Sequence, residues 1–267
     1  EFGCDFCSRL HTGDICHHDQ RTVAGAPKIS LDGLKFVITE STYANETRAN
    51  HQETKEQCIS AIQQALESGK SVRMLSFAIG KTQEAFELAL RACPEAPIFI
   101  DGSGREISKI YLKYSSVSPE IAEHFVKNNE QRSALIREGP NIVIVPSAMQ
   151  FGGLSRLYAK AGIAKSNHLF ISLGYLDPHS PEYAFFNSTR NAVFNFDGKI
   201  IPRFCDVARF KLPSHLDSND ISEMRERLKP EKTVMIHGDS ANIDKFIANH
   251  PDKGFIKAEN GKPIELC

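Results

Sequence analysis

The sequence predicts an α/β protein organised around mainly parallel sheet. Short apolar runs recur along the chain, amphipathic helical patterns separate them, and reactive side chains stand where several runs end. The runs SVRMLSFA (71–78), APIFIDG (96–102), NIVIVPS (141–147) and HLFISLGY (168–175) read as buried strands. QETKEQCISAIQQALESG (52–69) reads as an amphipathic helix, with Cys58, Ile59, Ile62 and Ala65 on one stripe and Gly69 as its stop. TQEAFELALRAC (82–93), SPEIAEHFVKNN (118–129) and GGLSRLYAKAG (152–162) are further helix candidates. Alternation of this kind favours βαβ units, in which ligands sit at the carboxyl ends of the strands. After residue 190 the pattern changes: AVFNFDGKIIPRFCDVARFKL carries an Asp197-Gly198 hairpin turn between two alternating runs.

Composition excludes several classes. The chain has 267 residues, 41% of them hydrophobic and 24% charged, as in an ordinary soluble globular protein. Its net charge of −1 gives no global basic field, although a local patch is compatible with that sum. No apolar run approaches the roughly 18 residues that span a bilayer, and no signal peptide opens the chain. The seven cysteines are scattered and odd in number, which points to a reducing, cytoplasmic compartment rather than a disulfide framework. Cys4 and Cys7 form a CxxC without a second pair, and read as strand residues. The opening, EFGCDFCSRLHTGD, starts as though a strand were already under way, so we expect a longer parent protein. The end, a polar turn at Glu259-Asn260-Gly261-Lys262 followed by a short strand-like tail, reads as a terminus.

The chemistry gathers at run ends. HTGD places Asp14 in a turn, VITE delivers Glu40, KLPSHLD delivers His215 and TVMIHGD delivers His237. A carboxylate at the mouth of a buried strand is costly without a partner, so Glu40 demands one. Carboxylates and imidazoles together suit a divalent metal with a proton shuttle beside it. Singly, each has a bland reading as a turn residue or a hydrogen-bonded core histidine.

The ordered motifs HTGD, VITESTY, SFAIGKTQE, VPSAMQFGG, LGYLDPHSP, LPSHLD and MIHGD resemble the β-CASP branch of the metallo-β-lactamase superfamily, from about residue 10 to the end. That branch contains RNA-processing and DNA-repair nucleases, among them cleavage-factor endonucleases and ribonuclease J. The resemblance implies the C-terminal half of an αββα lactamase sandwich, residues 1–44 and 211–267, and an inserted β-CASP cap, residues 45–210, with the active site in the cleft between them. It also implies a two-zinc site in which Asp14 bridges the metals and His237 ligates one of them. Glu40 then pairs with His215, which protonates the leaving oxygen of a phosphodiester in RNA or DNA. A carboxylate beside an imidazole favours the charged ring, as a general acid requires.

The departures from the family pattern carry equal weight. HxHxDH, the main metal signature, is absent, and so is a histidine expected just upstream of Asp14. Asp14 and His237 alone do not hold two metals, so the chain by itself is expected to be inactive. The missing lactamase half would then lie in cis or in trans, with a non-catalytic RNA-binding or partner-binding subunit as the alternative. His11, Ala44, Ala148, Glu182 and the pair Pro213-Ser214 stand where the family carries other residues. Gly80-Lys81-Thr82 invites a P-loop reading, which fails because Leu75 occupies the required glycine position. Lys81 and Ser147 are instead candidate phosphate contacts, each weighed evenly against a solvated lysine and a plain turn residue. RNA is the expected partner, and a homo-oligomer is compatible with the sequence.

Overall fold

The computed structural model describes residues 2–4, 7–47, 49–114, 117–146, 153–212 and 214–265. The chain divides into two compact units, one comprising Glu1–Asp19, Ala24–Arg48 and Pro213–Cys267, the other Gln20–Val23 and Ala49–Leu212.

The first unit opens with an antiparallel hairpin of β1 (Phe2–Cys4) and β2 (Cys7–His11), in which Cys4 and Cys7 lie in register. Strand β3 (Phe36–Glu40) runs parallel to β2. The chain then builds the second unit. Helix α1 (His51–Glu67) is capped by the Asn50 side chain, and β4 (Ser71–Ser76), α2 (Lys81–Ala92), β5 (Ile98–Ile100) and α3 (Ser103–Lys113) follow. Next come a 3-10 helix at Pro119–His124, α4 (Asn129–Arg137), β6 (Ile142–Pro146), α5 (Gly153–Gly162), β7 (His168–Leu173) and α6 (Pro181–Asn187). Hairpin strands β8 (Val193–Phe196) and β9 (Lys199–Pro202) lead into β10 (Asp206–Phe210). Back in the first unit, α7 (Ser218–Leu228), β11 (Lys232–Ile236), α8 (Ser240–Asn249) and β12 (Phe255–Lys257) end the described fold.

The second unit holds a parallel sheet in the order β10-β7-β4-β6-β5. Its central strands β4, β6 and β7 are buried along nearly their whole length because helices cover both faces. Period-two alternation divides them cleanly. Ile142 and Ile144 of β6 face a core with Cys58 and Ile62 of α1 and Phe86 of α2, while Val143 and Val145 face Tyr158 of α5 and Phe185 of α6. One charged side chain lies inside this sheet. Arg73 on β4 is 1% exposed, donates to the carbonyls of Val72, Asn141 and Leu135, and lies over the Tyr158 ring.

Three expectations need correction. The segment 118–129 is not one helix: after the 3-10 turn, Phe125 bridges to Ile100 and the Val126 amide donates to the Ile100 carbonyl at 3.0 Å. Extending the ladder beside β5 and burying Val126 outweighs the local helical pattern there. The DVARF run does not belong to the hairpin region but pairs parallel with β7 as the sheet edge. The strand near the C-terminus precedes the polar turn rather than following it, because FIK pairs with β11, and residues 262–265 form no strand.

The first unit's sheet has the order β1-β2-β3-β11-β12, and its β3–β11 register sets Glu40 beside Ile236. Val37 and Met235 of the sheet pack with Ile221 and Met224 of α7 and Ile243 and Phe246 of α8. Helix α7 starts with a reciprocal capping box between Asp217 and Asp220. Among the described residues no helix is long and apolar enough to cross a membrane.

Candidate active site

The candidate site is assembled within the first unit, where three segments leave its sheet. After β2, the Thr12 amide still donates to the Ile38 carbonyl at 3.0 Å, and Gly13 then turns the chain at φ +62°. A positive φ is open to glycine without strain, which is why HTGD releases Asp14 abruptly onto an exposed rim. Strand β3 ends in Glu40 opposite Ile236, the last residue of β11, and His237 is the residue that follows.

His237 adopts φ +51°, a left-handed conformation that few non-glycine residues hold without local support. Support is present. The Ser41 amide donates to the His237 carbonyl at 3.3 Å, the Ser41 hydroxyl to the Ile236 carbonyl at 2.6 Å, and Thr42 Oγ1 lies 3.2 Å from His237 Nδ1. Gly238 follows because a Cβ there would stand 2.4 Å from the Ser41 carbonyl oxygen.

Glu40 is 1% exposed, and its partners are now explicit. Oε2 accepts from the Thr42 amide at 3.0 Å, Oε1 accepts from the Leu216 amide at 2.7 Å, and His215 Nδ1 lies 3.4 Å from Oε1. Burial alone would favour the neutral acid. The nearby His215 ring and the hydrogen bonds from the Thr42 and Leu216 amides outweigh it and hold the Glu40 carboxyl below the usual carboxylate range. His215 reaches Glu40 from a loop rather than a strand end. That loop is pinned by a parallel bridge between Tyr43 and Asp217 and by the Ser218 amide donating to the Glu46 carbonyl at 3.0 Å.

Around this pair the metal-type donors converge. One ligand atom each from Asp14, His215 and His237 lie within 4.8 Å of one another. Asp14 Oδ1 is 3.4 Å from His237 Nδ1, and the His215 and His237 ring centroids are 5.7 Å apart. Two imidazoles and a carboxylate at this spacing fit a divalent ion of the zinc type. A cavity of ≈ 540 Å³ opens beside His237, bounded by Gly238, Ser240, Lys257, Glu259 and Asn260 among others.

The two phosphate-contact candidates fall elsewhere. Lys81 opens α2 of the second unit, but it is 4% exposed and its Nζ pairs with Glu84 at 2.7 Å, so it is neither solvated nor presented to a ligand. Ser147 lies outside the described residues. Sequence reasoning missed two things here. It treated His215 only as an acid, whereas the structure also sets it among the donors, and it passed over Thr42. A Ser-Thr pair directly after a strand-ending carboxylate, in a position to bond nearby backbone, was the available signal.

By sequence, the chain has relatives among known proteins. No protein-family model matches the chain. It is 22% identical over 278 residues to RNase aCSPSF2 of Saccharolobus solfataricus, covering 96% of this chain and 53% of that protein. It is 26% identical over 248 residues to an RNase J-like protein of Methanocaldococcus jannaschii, covering 86% of this chain and 58% of the relative. It is 23% identical over 249 residues to cleavage and polyadenylation specificity factor subunit 3-II of Arabidopsis thaliana, covering 88% and 40%. These alignments cover 86–96% of the chain. These homologues are members of the β-CASP branch of the metallo-β-lactamase superfamily. That family is of a metal-dependent type, and the mixed α/β fold with mostly parallel sheets fits the fold of these homologues. The chain spans about half the length of the curated relatives it matches.

Proposed function

We propose that this chain carries the acid–base half of a zinc-dependent site that hydrolyses phosphodiester bonds in RNA. The first unit is read as lactamase domain and the second as β-CASP cap. The observation that carries the reading is the convergence of Asp14, His215 and His237 within 4.8 Å, with His215 backed by the buried Glu40. The relatives' names as ribonucleases favour RNA over DNA as the substrate.

Asp14 and His237 would hold the metal, which when bound supplies Lewis-acid stabilisation of charge on the scissile phosphate. The chain's own residues do the rest. Glu40 accepts from His215 Nδ1, orients the ring and stabilises its charged form, which leaves Nε2 to carry the proton given to the departing oxygen. The Leu216 and Thr42 amides keep Glu40 ionised while it does so. The cavity beside His237 lies within the roughly 300–1,000 Å³ range of ligand sites and suits a nucleotide flanking the scissile bond. Three donors among the described residues are too few for two zinc ions, so a two-zinc site would need further ligands, in cis or in trans.

A second reading is favoured by that same count. Among the described residues this is the one group of metal-type donors, which is also what a non-catalytic RNA-binding β-CASP subunit would retain. Zinc content and cleavage of a labelled RNA by the whole protein separate the two. His237→Ala is expected to lower bound zinc and abolish cleavage, and His215→Ala to abolish cleavage with zinc retained. Equal zinc loss in both variants would make His215 a ligand and remove its role as acid. A whole protein that binds RNA but never cleaves it would establish the second reading.

A further inference from the structure

The second unit contains a buried side chain that its own fold leaves half satisfied. Gln83 on α2 is 1% exposed. Its amide nitrogen donates to the Ser108 hydroxyl of α3 at 2.8 Å and to the Ala78 carbonyl at 3.3 Å. A carbonyl only accepts, so Ala78 fixes which end of the amide faces it. The other end, Oε1, has no hydrogen-bond partner among the described residues. A buried acceptor in that state is unfavourable and calls for an explanation. Gln83 also lines a cavity of ≈ 90 Å³, to which Phe86, Leu90, Val117 and Ile121 give an apolar collar. A cavity of about 150 Å³ takes benzene, so this one has room for about four non-hydrogen atoms. Water suits polar cavities that offer it two to four partners, whereas here the collar is apolar and the free acceptor single.

The charged groups at the cavity define its occupant further. Arg21 forms an ion pair with Glu87, and the Ser118 hydroxyl donates to Glu120 at 3.0 Å. These donors are committed, so an occupant must bring donors of its own. Two carboxylates, Glu87 and Glu120, against the one Arg21 guanidinium leave a negative charge in excess. A hydroxyl or amide tip would add acceptors, whereas an ammonium carries three N–H groups and none. An aliphatic stem behind the ammonium would cover the apolar collar, as lysine stems do on apolar surface elsewhere. We propose that this cavity is a binding site for a primary alkylammonium group, a free amine or the end of a lysine side chain, with Gln83 Oε1 as its acceptor. The site lies wholly in the second unit and shares no residue with the metal-type donors, so it stands apart from the function proposed above.

The test uses the full chain, uniformly isotope-labelled, with the Gln83 side-chain amide and the Ile121 backbone amide as reporters in nitrogen–proton correlation spectra. n-Propylammonium is titrated at constant ionic strength, and n-propanol, with the same count of non-hydrogen atoms, is the uncharged control. The ammonium should bind saturably, with a Kd on the order of 1 mM for so small a ligand, and shift both reporters. n-Propanol should bind about tenfold more weakly. Gln83→Met, read at Ile121, should lose the preference for the ammonium. Glu120→Gln, an exposed change, should weaken the ammonium about threefold and leave n-propanol unaffected. It decides the matter alone where Gln83→Met does not fold. The absence of a saturable shift, equal binding of n-propanol, or shifts spread over exposed carboxylates throughout the chain would overturn the proposal. So would parental ammonium binding in either variant. N-acetyl-lysine N-methylamide separates the two sources: its binding assigns the site to a lysine side chain, and its exclusion where n-propylammonium binds assigns it to a free amine.

Discussion

Replacing Glu40 by Gln isolates what the buried carboxylate does. The carboxylate accepts from the Leu216 amide at 2.7 Å and the Thr42 amide at 3.0 Å, one on each oxygen. Glutamine keeps the shape but offers one accepting oxygen, and turns its amide nitrogen, a donor, toward the other backbone N–H. One charge-assisted bond becomes a neutral one and the other is lost with a buried donor left facing a donor. Hydrogen bonds to charged groups contribute about 1.5–3 kcal/mol and an orphaned donor costs about 1–3 kcal/mol, so the first unit should lose about 2–4 kcal/mol. The sign with pH follows from the lowered Glu40 pKa: its stabilisation is fully present above the unfolded carboxylate value of 4.5 and disappears as pH falls through the folded value. The parent chain therefore loses this term in acid, and Glu40→Gln, having none to lose, should close the gap. Amide exchange read by mass spectrometry is the suitable assay, because the chain has no tryptophan and the effect is local to peptides around residues 36–46 and 214–220. Unchanged exchange at neutral pH, or a gap that stays constant into acid, would refute the account of Glu40.

His168, 5% exposed at the start of β7, has its pKa pushed down to about 3 by burial and by the nearby Arg73 and Lys165 cations. A depressed folded value means stability that is present above 6.5 and lost as pH falls, about 2 kcal/mol of it by a pH of about 5. His168→Gln should remove that loss from urea unfolding curves at the two pH values, and an equal acid loss in both chains would contradict it. Gly238→Ala places a methyl 2.4 Å from the Ser41 carbonyl and should cost about 1–3 kcal/mol, with weaker zinc binding. Parental melting and zinc affinity in that variant would show that the close approach of β3 and β11 is not required. Asp14→Asn keeps the shape of the side chain but not its charge, and should lower zinc binding by about tenfold while leaving the melting temperature unchanged, since Asp14 is exposed. Retained zinc affinity would remove Asp14 from the ligand set.

The second unit was the more legible in sequence because its signals are local. The stripe Cys58, Ile59, Ile62 and Ala65 is buried as read, and Asp197-Gly198 turns its hairpin with φ of +57° and +83°. Helix α3 escaped notice because it buries little beyond Gly104 and Ser108, leaving almost no apolar stripe to read. The mistaken helix at 118–129 failed for the opposite reason: a distant partner, the Ile100 carbonyl, claims the Val126 amide, and no local pattern reports that. In the site, residue types at run ends indicated Asp14, Glu40, His215 and His237. Their grouping depends on a β3–β11 pairing across about 200 residues, which spacing along the chain does not encode. The Lys81 candidate shows the converse limit, for Glu84 one turn later in the same motif is the ion-pair partner that buries it.

The balance between hydrolase and binding module turns on Glu40. Sequestering a carboxylate at 1% exposure is unfavourable by several kcal/mol unless it is fully bonded, and apolar residues of similar volume often serve stability as well or better. A surface that only grips RNA has no use for such a group, because phosphate recognition relies on cations and amide donors. Here two backbone amides keep the carboxylate charged, and its remaining contact is directed at a single histidine that stands among metal-type donors. That expense is intelligible where His215 must be oriented and kept able to donate a proton, and it is purposeless where His215 is only a surface ring. The network is also complete within one unit, with no donor from outside it needed to set the Glu40–His215 pair. On the proposed reading, the Glu40–His215 pair is set by this unit's own backbone amides, and additional metal ligands would act on a site already oriented for proton transfer.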